Sequence, residues 1–140
     1  MQIKFKLKAK GSWTDSQVAS VKLATRWAAA RLGFTKLPIT IVIRLVGPHP
    51  EQFGSCSMVD DTRFVVWLQS GFDTTRTIST LFHEITHIRQ HIYEGLYLHS
   101  DSLADFRHKQ YGMEDYWNTP WEKEARQSEH RLLKEFMEAY

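Results

Sequence analysis

The segment from Asp73 to Gly95 reads DTTRTISTLFHEITHIRQHIYEG, and it predicts a long amphipathic helix from about Thr74 to Glu94. Asp73 is a preferred residue just before a helix, and Gly95 is a preferred residue just after one. The apolar residues recur on a single stripe when each residue is advanced by about 100° around the axis. We expect this stripe to face the core, and it comprises Ile78, Leu81, Phe82, Ile85, Ile88 and Ile92.

The same predicted helix carries the motif His83-Glu84-Ile85-Thr86-His87. Residues four apart share a helix face, so both imidazoles can reach one metal ion. They lie roughly opposite the centre of the apolar stripe, and we expect them to point toward a cleft or solvent. The pattern is typical of hydrolytic zinc sites, in which His83 and His87 bind the metal and Glu84 is the general base that deprotonates the attacking water.

A catalytic zinc ion normally has three protein ligands, so one more residue is needed. His91 lies two turns beyond His83, and along a straight helix the three rings span about 12 Å, too far to converge on one ion. We expect His91 to act outside the coordination sphere or at the surface. Cys56, the single cysteine of the chain, is expected to be a small buried thiol rather than a ligand.

The C-terminal segment Pro120-Trp121-Glu122-Lys123-Glu124-Ala125 offers two carboxylates. They lie about 200° apart around a helix axis, so only one can face the metal. Thr119 and Glu122 match a capping box, which already explains Glu122, whereas nothing local explains Glu124. We therefore predict Glu124 as the third ligand, with Glu122 as the alternative.

The remaining segments predict an α+β fold with a small mixed sheet of three to four strands. The sheet packs against an N-terminal helix and the zinc-binding helix, and a C-terminal helix carries the third ligand. Apolar residues alternate with lysines over residues 1–10, which predicts an edge strand with one solvated face. The other predicted elements are a helix over 15–32, a strand over 38–46, a hairpin of strands 53–59 and 62–69, an irregular or partly helical connection over 96–118, and a helix from 120 nearly to 140.

Composition favours a single domain over residues 1–140, because 140 residues with 42% hydrophobic content can bury a core without disulfides. The net charge of +2 gives no strong evidence for a nucleic-acid or membrane partner. We interpret the lysines of residues 4–10 as a solvated face, with a contact to nucleic acid or to an anionic surface as the alternative. The first residues do not form the apolar core of a signal peptide, and no run reaches transmembrane length, so the expected location is the cytoplasm. The sequence does not predict the oligomeric state.

The motif His83-Glu84-x-x-His87, followed by Glu124-Ala125 on a separate helix, resembles the gluzincin metallopeptidases. The small size and the order of elements over residues 14–140 are similar to the minigluzincins and to small phage or bacterial metallopeptidase-like proteins with a Pro-Trp-Glu-x-Glu-Ala segment. The resemblance implies one Zn²⁺ ion bound by His83, His87 and Glu124, with Glu84 as base. It also implies that a strand extends onto the bound peptide, and the strand over 62–69 is the natural match, with an interior or ordinary edge strand as the alternative.

These observations predict a zinc-dependent peptidase that acts on a protein or peptide substrate. The alternative is a non-catalytic, metal-stabilised binding protein on a gluzincin-like scaffold in a phage setting. Amide hydrolysis also needs a donor to the developing oxyanion, and no spacing selects one. The candidates are Tyr93, Tyr97, Tyr111, Tyr116 and His130.

Overall fold

The computed structural model of the protein describes residues 1–100 and 102–140. They form an α+β fold in which helices cover one face of a four-stranded mixed sheet, beside a second, smaller sheet. The helices are α1 (Asp15–Arg31), α2 (Thr74–Glu94) and α3 (Pro120–Ala139). The strands are β1 (Gln2–Leu7), β2 (Thr40–Val46), β3 (Gly54–Asp60), β4 (Arg63–Gln69), β5 (Tyr97–Leu98), β6 (Leu103–Phe106) and β7 (Lys109–Gly112).

The four-stranded sheet has the order β1-β2-β4-β3, with β1 and β4 parallel to β2 and β3 antiparallel to β4. The lysine-bearing strand β1 therefore lies at an edge, as predicted. The predicted hairpin is also present, but its second strand, β4, lies inside the sheet. The expectation that residues 62–69 extend onto a bound peptide is wrong for this reason, and of the two hairpin strands β3 is the one at an edge of the sheet. Alternation within each strand could not show which of the two pairs with β2.

Helix α2 has the predicted bounds, because both of its ends carry the expected caps. The Asp73 carboxylate accepts a hydrogen bond from the backbone N–H of Arg76 at 2.8 Å. Gly95 ends the helix with φ of 67°, a conformation that favours glycine. The predicted apolar stripe packs into the core with the sheet and α1, with Leu81, Phe82, Ile85 and Ile88 fully buried. No helix in the described part of the chain is long and apolar enough to cross a membrane.

The connection over 96–118, predicted as irregular or partly helical, does contain a short helical turn at Tyr116–Asn118, but it also contains the three-stranded sheet β5-β6-β7, which was not predicted. Asp101, within this connection, lies outside the described residues. The strands β5, β6 and β7 are two to four residues long, too short for alternation to be visible in the sequence. The turn between β6 and β7 places Arg107 and His108 at φ of 51° and 66°, where glycine or asparagine is usual. The sequence therefore lacks the ordinary signal for this hairpin.

Candidate metal centre

Helix α2 presents His83 and His87 on the side that faces α3. Their ring centroids are 5.0 Å apart. His87 is buried, whereas 16% of the His83 side chain is exposed. Both residues line a cleft of about 360 Å³ that is bordered by α2, β3, the start of α3 and the connection before it. The prediction that the two imidazoles point toward a cleft is confirmed.

Glu122, in the first turn of α3, completes a cluster with the two histidines. One carboxylate oxygen, Oε2, lies 3.1 Å from Nε2 of His83, and the other, Oε1, lies 2.8 Å from Nε2 of His87. One candidate ligand atom from each of the three residues lies within 4.8 Å of the other two. The three side chains can therefore hold one metal ion.

The structure places Glu124 outside this cluster, which corrects the prediction of Glu124 as third ligand. Its Oε1 accepts a hydrogen bond from Nε2 of Gln90 at 3.2 Å, and its Oε2 accepts one from the guanidinium of Arg107. Burial opposes the charge of Glu124, but hydrogen bonds that include those from Gln90 and Arg107 lower the pKa of this carboxyl below its usual value. Glu124 is thus a carboxylate whose hydrogen-bond partners are residues other than the histidines.

The assignment failed because the capping box at the start of α3 does not form. Thr119 does precede the helix, but its side chain caps no backbone N–H. The Thr119 hydroxyl instead donates to the carbonyl of Tyr116 at 2.7 Å, in the short helical turn that precedes α3. Glu122 is therefore not held by its own helix end, and its carboxylate turns to the histidines.

A buried glutamine fixes the orientation of His87. Both N–H groups of the Gln90 amide are used, since Nε2 donates to the carbonyl of Trp121 at 2.9 Å and to Glu124. Its oxygen, Oε1, is then the acceptor for Nδ1–H of His87 at 2.8 Å. With the proton on Nδ1, the lone pair of Nε2 points at the cluster, as a metal ligand requires.

A carboxylate performs the same task for His83. Oε1 of Glu129 lies 3.1 Å from Nδ1 of His83, and Oε2 of Glu129 accepts a hydrogen bond from the Ser79 hydroxyl at 2.8 Å. Burial raises the pKa of Glu129, but His83 and Ser79 outweigh burial and lower it.

The sequence did not reveal either of the two orienting residues, Gln90 and Glu129. Their only signals were spacings, with Gln90 three residues after His87 and Glu129 two helical turns after Glu122.

We expect Glu129→Leu to weaken zinc binding about 10- to 100-fold, because the Nδ1–H of His83 loses its acceptor and the ring loses its orientation. Glu129→Gln keeps an acceptor oxygen at the same position and should retain most of the affinity. Competition with a chromophoric zinc chelator measures both values. Equal affinities of wild type and Glu129→Leu would show that Glu129 does not position His83.

The spacing of the cluster permits one metal ion. Zinc–ligand distances of about 2.0–2.2 Å place neighbouring ligand atoms about 3.3 Å apart. The two Glu122 oxygens lie 3.1 and 2.8 Å from the imidazole nitrogens, which are hydrogen-bond distances, so a bound ion would replace these hydrogen bonds. Two imidazoles and one carboxylate are also a common protein donor set for catalytic zinc, which leaves a fourth position open.

The same three groups share protons when no metal is bound. Burial opposes charge on His83, but the carboxylates of Glu122 and Glu129 outweigh burial and raise the pKa of His83 to about 10. Burial also opposes charge on His87, and Glu122 again raises the pKa. For Glu122, burial favours the neutral acid, but hydrogen bonds from both imidazoles hold its pKa far below the usual range. A metal ion must therefore displace imidazole protons, since only neutral imidazole is a ligand.

Glu84 lines the cleft beside the histidines but is not part of the three-residue cluster. Burial raises its pKa, while the charges of His87 and His83 act in the opposite direction. Cys56 lines the same cleft from β3, and burial, followed by the charge of Glu84, raises the pKa of its thiol. Cys56 also lies outside the cluster, and its protonated thiol is a poor ligand.

Tyr116 is the one oxyanion-donor candidate among those predicted that lines the cleft. Burial, followed by the charge of Glu122, raises the pKa of its phenol well above the usual value, so the hydroxyl keeps its proton. Tyr93 donates to the carbonyl of Gly33 at 2.7 Å, and the Tyr111 ring packs against Trp121. Tyr97 and His130 do not line this cleft.

His91 lies outside the cluster, in agreement with the prediction. Its Nδ1 is 2.7 Å from the carbonyl of Leu96, just after α2, and its Nε2 is 3.2 Å from Asp61 in the β3–β4 turn. His91 therefore links the end of α2 to the hairpin.

The described residues thus assemble a buried cluster of two histidines and one glutamate, and the Nδ1 atom of each imidazole is hydrogen-bonded by a residue outside the cluster, Glu129 for His83 and Gln90 for His87. A second carboxylate, Glu84, lies beside the cluster and takes no part in it. A protein surface with these features can bind a divalent cation and place a base next to it. Comparisons with protein-family models, curated proteins and solved structures find no match to this chain.

Proposed function

We propose that the protein is a zinc-dependent peptidase that hydrolyses peptide bonds in extended protein segments. The convergence of His83, His87 and Glu122 in an open cleft, with Glu84 beside them, is the observation that carries this proposal. Zinc bound there would act as a Lewis acid that polarises the scissile carbonyl and makes water more acidic.

Glu84 is the general base in this proposal. It lines the same cleft as His83 and His87 without being one of the three clustered residues, so its carboxylate is available to accept a proton from the attacking water. The same group can then hand that proton to the leaving amine, as general acid-base catalysis requires. Tyr116 can donate its hydroxyl proton in a hydrogen bond to the oxyanion that develops on the substrate.

Strand β3 is suited to bind the substrate backbone. It pairs with β4 on one side only, so its other edge carries unpaired peptide groups. Gly54, Ser55, Cys56 and Met58 of β3 line the cleft. An extended peptide can add to this edge as a further strand, which brings its carbonyl groups along the cleft toward the cluster.

A second cavity lies next to the cleft along β3. It has a volume of about 500 Å³ and follows the strand to Asp60 and Asp61. The two cavities are adjacent because they share lining residues, which are Cys56, Met58, Leu96 and Leu98. Two adjacent cavities along one strand offer room for several residues of an extended chain, which supports a peptide substrate rather than a small molecule.

We expect removal of zinc by a chelator to abolish hydrolysis of an unfolded, fluorescently labelled protein, and about one equivalent of zinc to restore it. Activity is measured as the release of labelled fragments by the full chain. Hydrolysis that persists in the chelator would contradict the proposal. A zinc-loaded protein that cleaves no unfolded substrate would instead support the alternative of a metal-stabilised binding protein.

A further inference from the structure

The four-stranded sheet has one face that is not covered by a helix within residues 1–100 and 102–140. The alternate residues Ile41, Ile43, Phe64 and Val66 point into the core that the helices form. Their neighbours along β2 and β4 point to the opposite side and stay partly exposed. We call this opposite side of the sheet the cationic face. It carries Lys4 and Lys6 of β1, Arg44 of β2, and Arg63 and Trp67 of β4, with Val42 and Val65 between them.

Strand register brings a row of these residues together. Lys6 is paired with Arg44, and Arg44 is paired with Trp67, across three adjacent strands. Neighbouring strands are about 4.8 Å apart, so two cations and an indole ring lie side by side across the sheet. Lys4 lies one alternate position away on β1, about 7 Å along the strand.

Nothing in the described part of the chain neutralises these cations by a direct ion pair. Like charges directly opposite one another in a sheet are destabilising, so the Lys6–Arg44 pair does not help folding. The Nε of Arg44 is buried and has no hydrogen-bond partner among the described residues. Asp60 of β3, at the edge of the sheet away from β1, is paired with Arg63 rather than with Lys6 or Arg44. The charge pattern is therefore complementary to an anionic polymer.

We propose that the cationic face binds single-stranded nucleic acid, with phosphates against Lys4, Lys6 and Arg44 and a base stacked on Trp67. A flat sheet with an aromatic ring beside cations suits single strands, because their bases are free to stack and every base has a π-face. A duplex exposes its phosphates but not its base faces, so it could use the lysines and not the indole. Surface lysines bind the phosphates of single strands and of duplexes alike, so Trp67 is the residue that favours single strands.

Fluorescence anisotropy with a labelled oligothymidylate of about 20 nucleotides tests this proposal in the full chain. The triple variant Lys4→Gln/Lys6→Gln/Arg44→Gln should bind about 10-fold or more weakly at low salt, and its dependence of log affinity on log salt should be shallower by about 2. Trp67→Leu should bind about 10-fold more weakly with an unchanged salt slope, because stacking releases no counterions.

The matched control is Lys36→Gln/Lys123→Gln/Lys134→Gln, which removes the same charge from exposed positions elsewhere. It should bind like wild type. Equal losses in the two triple variants, preferred binding to duplex DNA, or binding to anionic lipid vesicles but not to the oligonucleotide would overturn the proposal. Thermal melting of each variant checks the fold. If Trp67→Leu does not fold, the two triple variants still decide the outcome. Glu84→Gln separates this proposal from the proposed peptidase activity, because it leaves the cationic face unchanged and should bind the oligonucleotide like wild type.

Discussion

Glu84→Gln is expected to lower the rate of peptide hydrolysis about 1000-fold while the protein keeps its zinc. The amide has nearly the shape of the carboxylate but cannot take a proton from the attacking water. Glu84 is not one of the three residues that converge on the metal position, so its loss removes the base and leaves the ligands in place. The two measurements are kcat/KM for an unfolded protein substrate and the zinc content by elemental analysis.

Glu138→Gln is the matched control for this experiment, because it makes the same chemical change at an exposed position near the end of α3. It should cleave at the wild-type rate. Two results would contradict the assigned mechanism. In one, Glu84→Gln cleaves as well as wild type, and in the other it loses zinc together with activity, which would make Glu84 a ligand.

Glu122→Gln is expected to weaken zinc binding by more than about 100-fold, beyond the effect typical of residues that only orient ligands. The neutral amide is a poor ligand, and it also cannot balance the charge of the ion. Glu124→Gln should change the affinity by less than about 10-fold, since this residue reaches the site only through Gln90. The two substitutions are chemically identical and two residues apart, so each is the control for the other.

Isothermal titration calorimetry, in which each metal-free protein is titrated with zinc at one pH, gives both affinities. The pH must be held constant because zinc displaces imidazole protons from His83 and His87. A large loss in Glu124→Gln with normal binding in Glu122→Gln would restore the ligand set predicted from sequence.

Glu124 contributes to the site indirectly, through Gln90 and then His87. It accepts hydrogen bonds from Gln90 and from Arg107, and Gln90 in turn orients His87. Arg107 also bonds the Glu94 carboxylate at 2.7 Å, while its backbone N–H donates to the Glu94 carbonyl at 2.9 Å. The β6–β7 turn thereby joins the end of α2 to the start of α3. This link holds the two helices that carry the ligands in one relative position.

The helix that carries the motif could be predicted because its determinants are local. Asp73 and Gly95 fix the two ends, and apolar spacing fixes the buried stripe. The first helix was predictable for the same reason, since Thr14 and Gln17 form the expected capping box, each accepting a backbone N–H at 3.1 Å. The positions of His83 and His87 at the cleft then followed from helix geometry alone.

The place of Glu122 in the cluster could not be predicted because it depends on which acceptor the Thr119 backbone N–H takes. In a capping box this N–H donates to the Glu122 carboxylate, but here it donates to the carbonyl of Tyr116 at 3.2 Å, which leaves the carboxylate free. That choice depends on the helical turn formed by Tyr116–Asn118, which has no periodic pattern in the sequence. The edge strand of the hairpin was missed for a similar reason, since the pairing of β4 with β2 is a long-range contact.

Anomalous diffraction at the zinc edge, from crystals grown with zinc, tests the ligand set most directly. We predict one strong peak within about 2.0–2.2 Å of Nε2 of His83, Nε2 of His87 and a carboxylate oxygen of Glu122. Glu84 should lie beside this peak without binding it. A zinc peak that is bound by Glu124 or His91, or the absence of any peak between α2 and α3, would contradict the account.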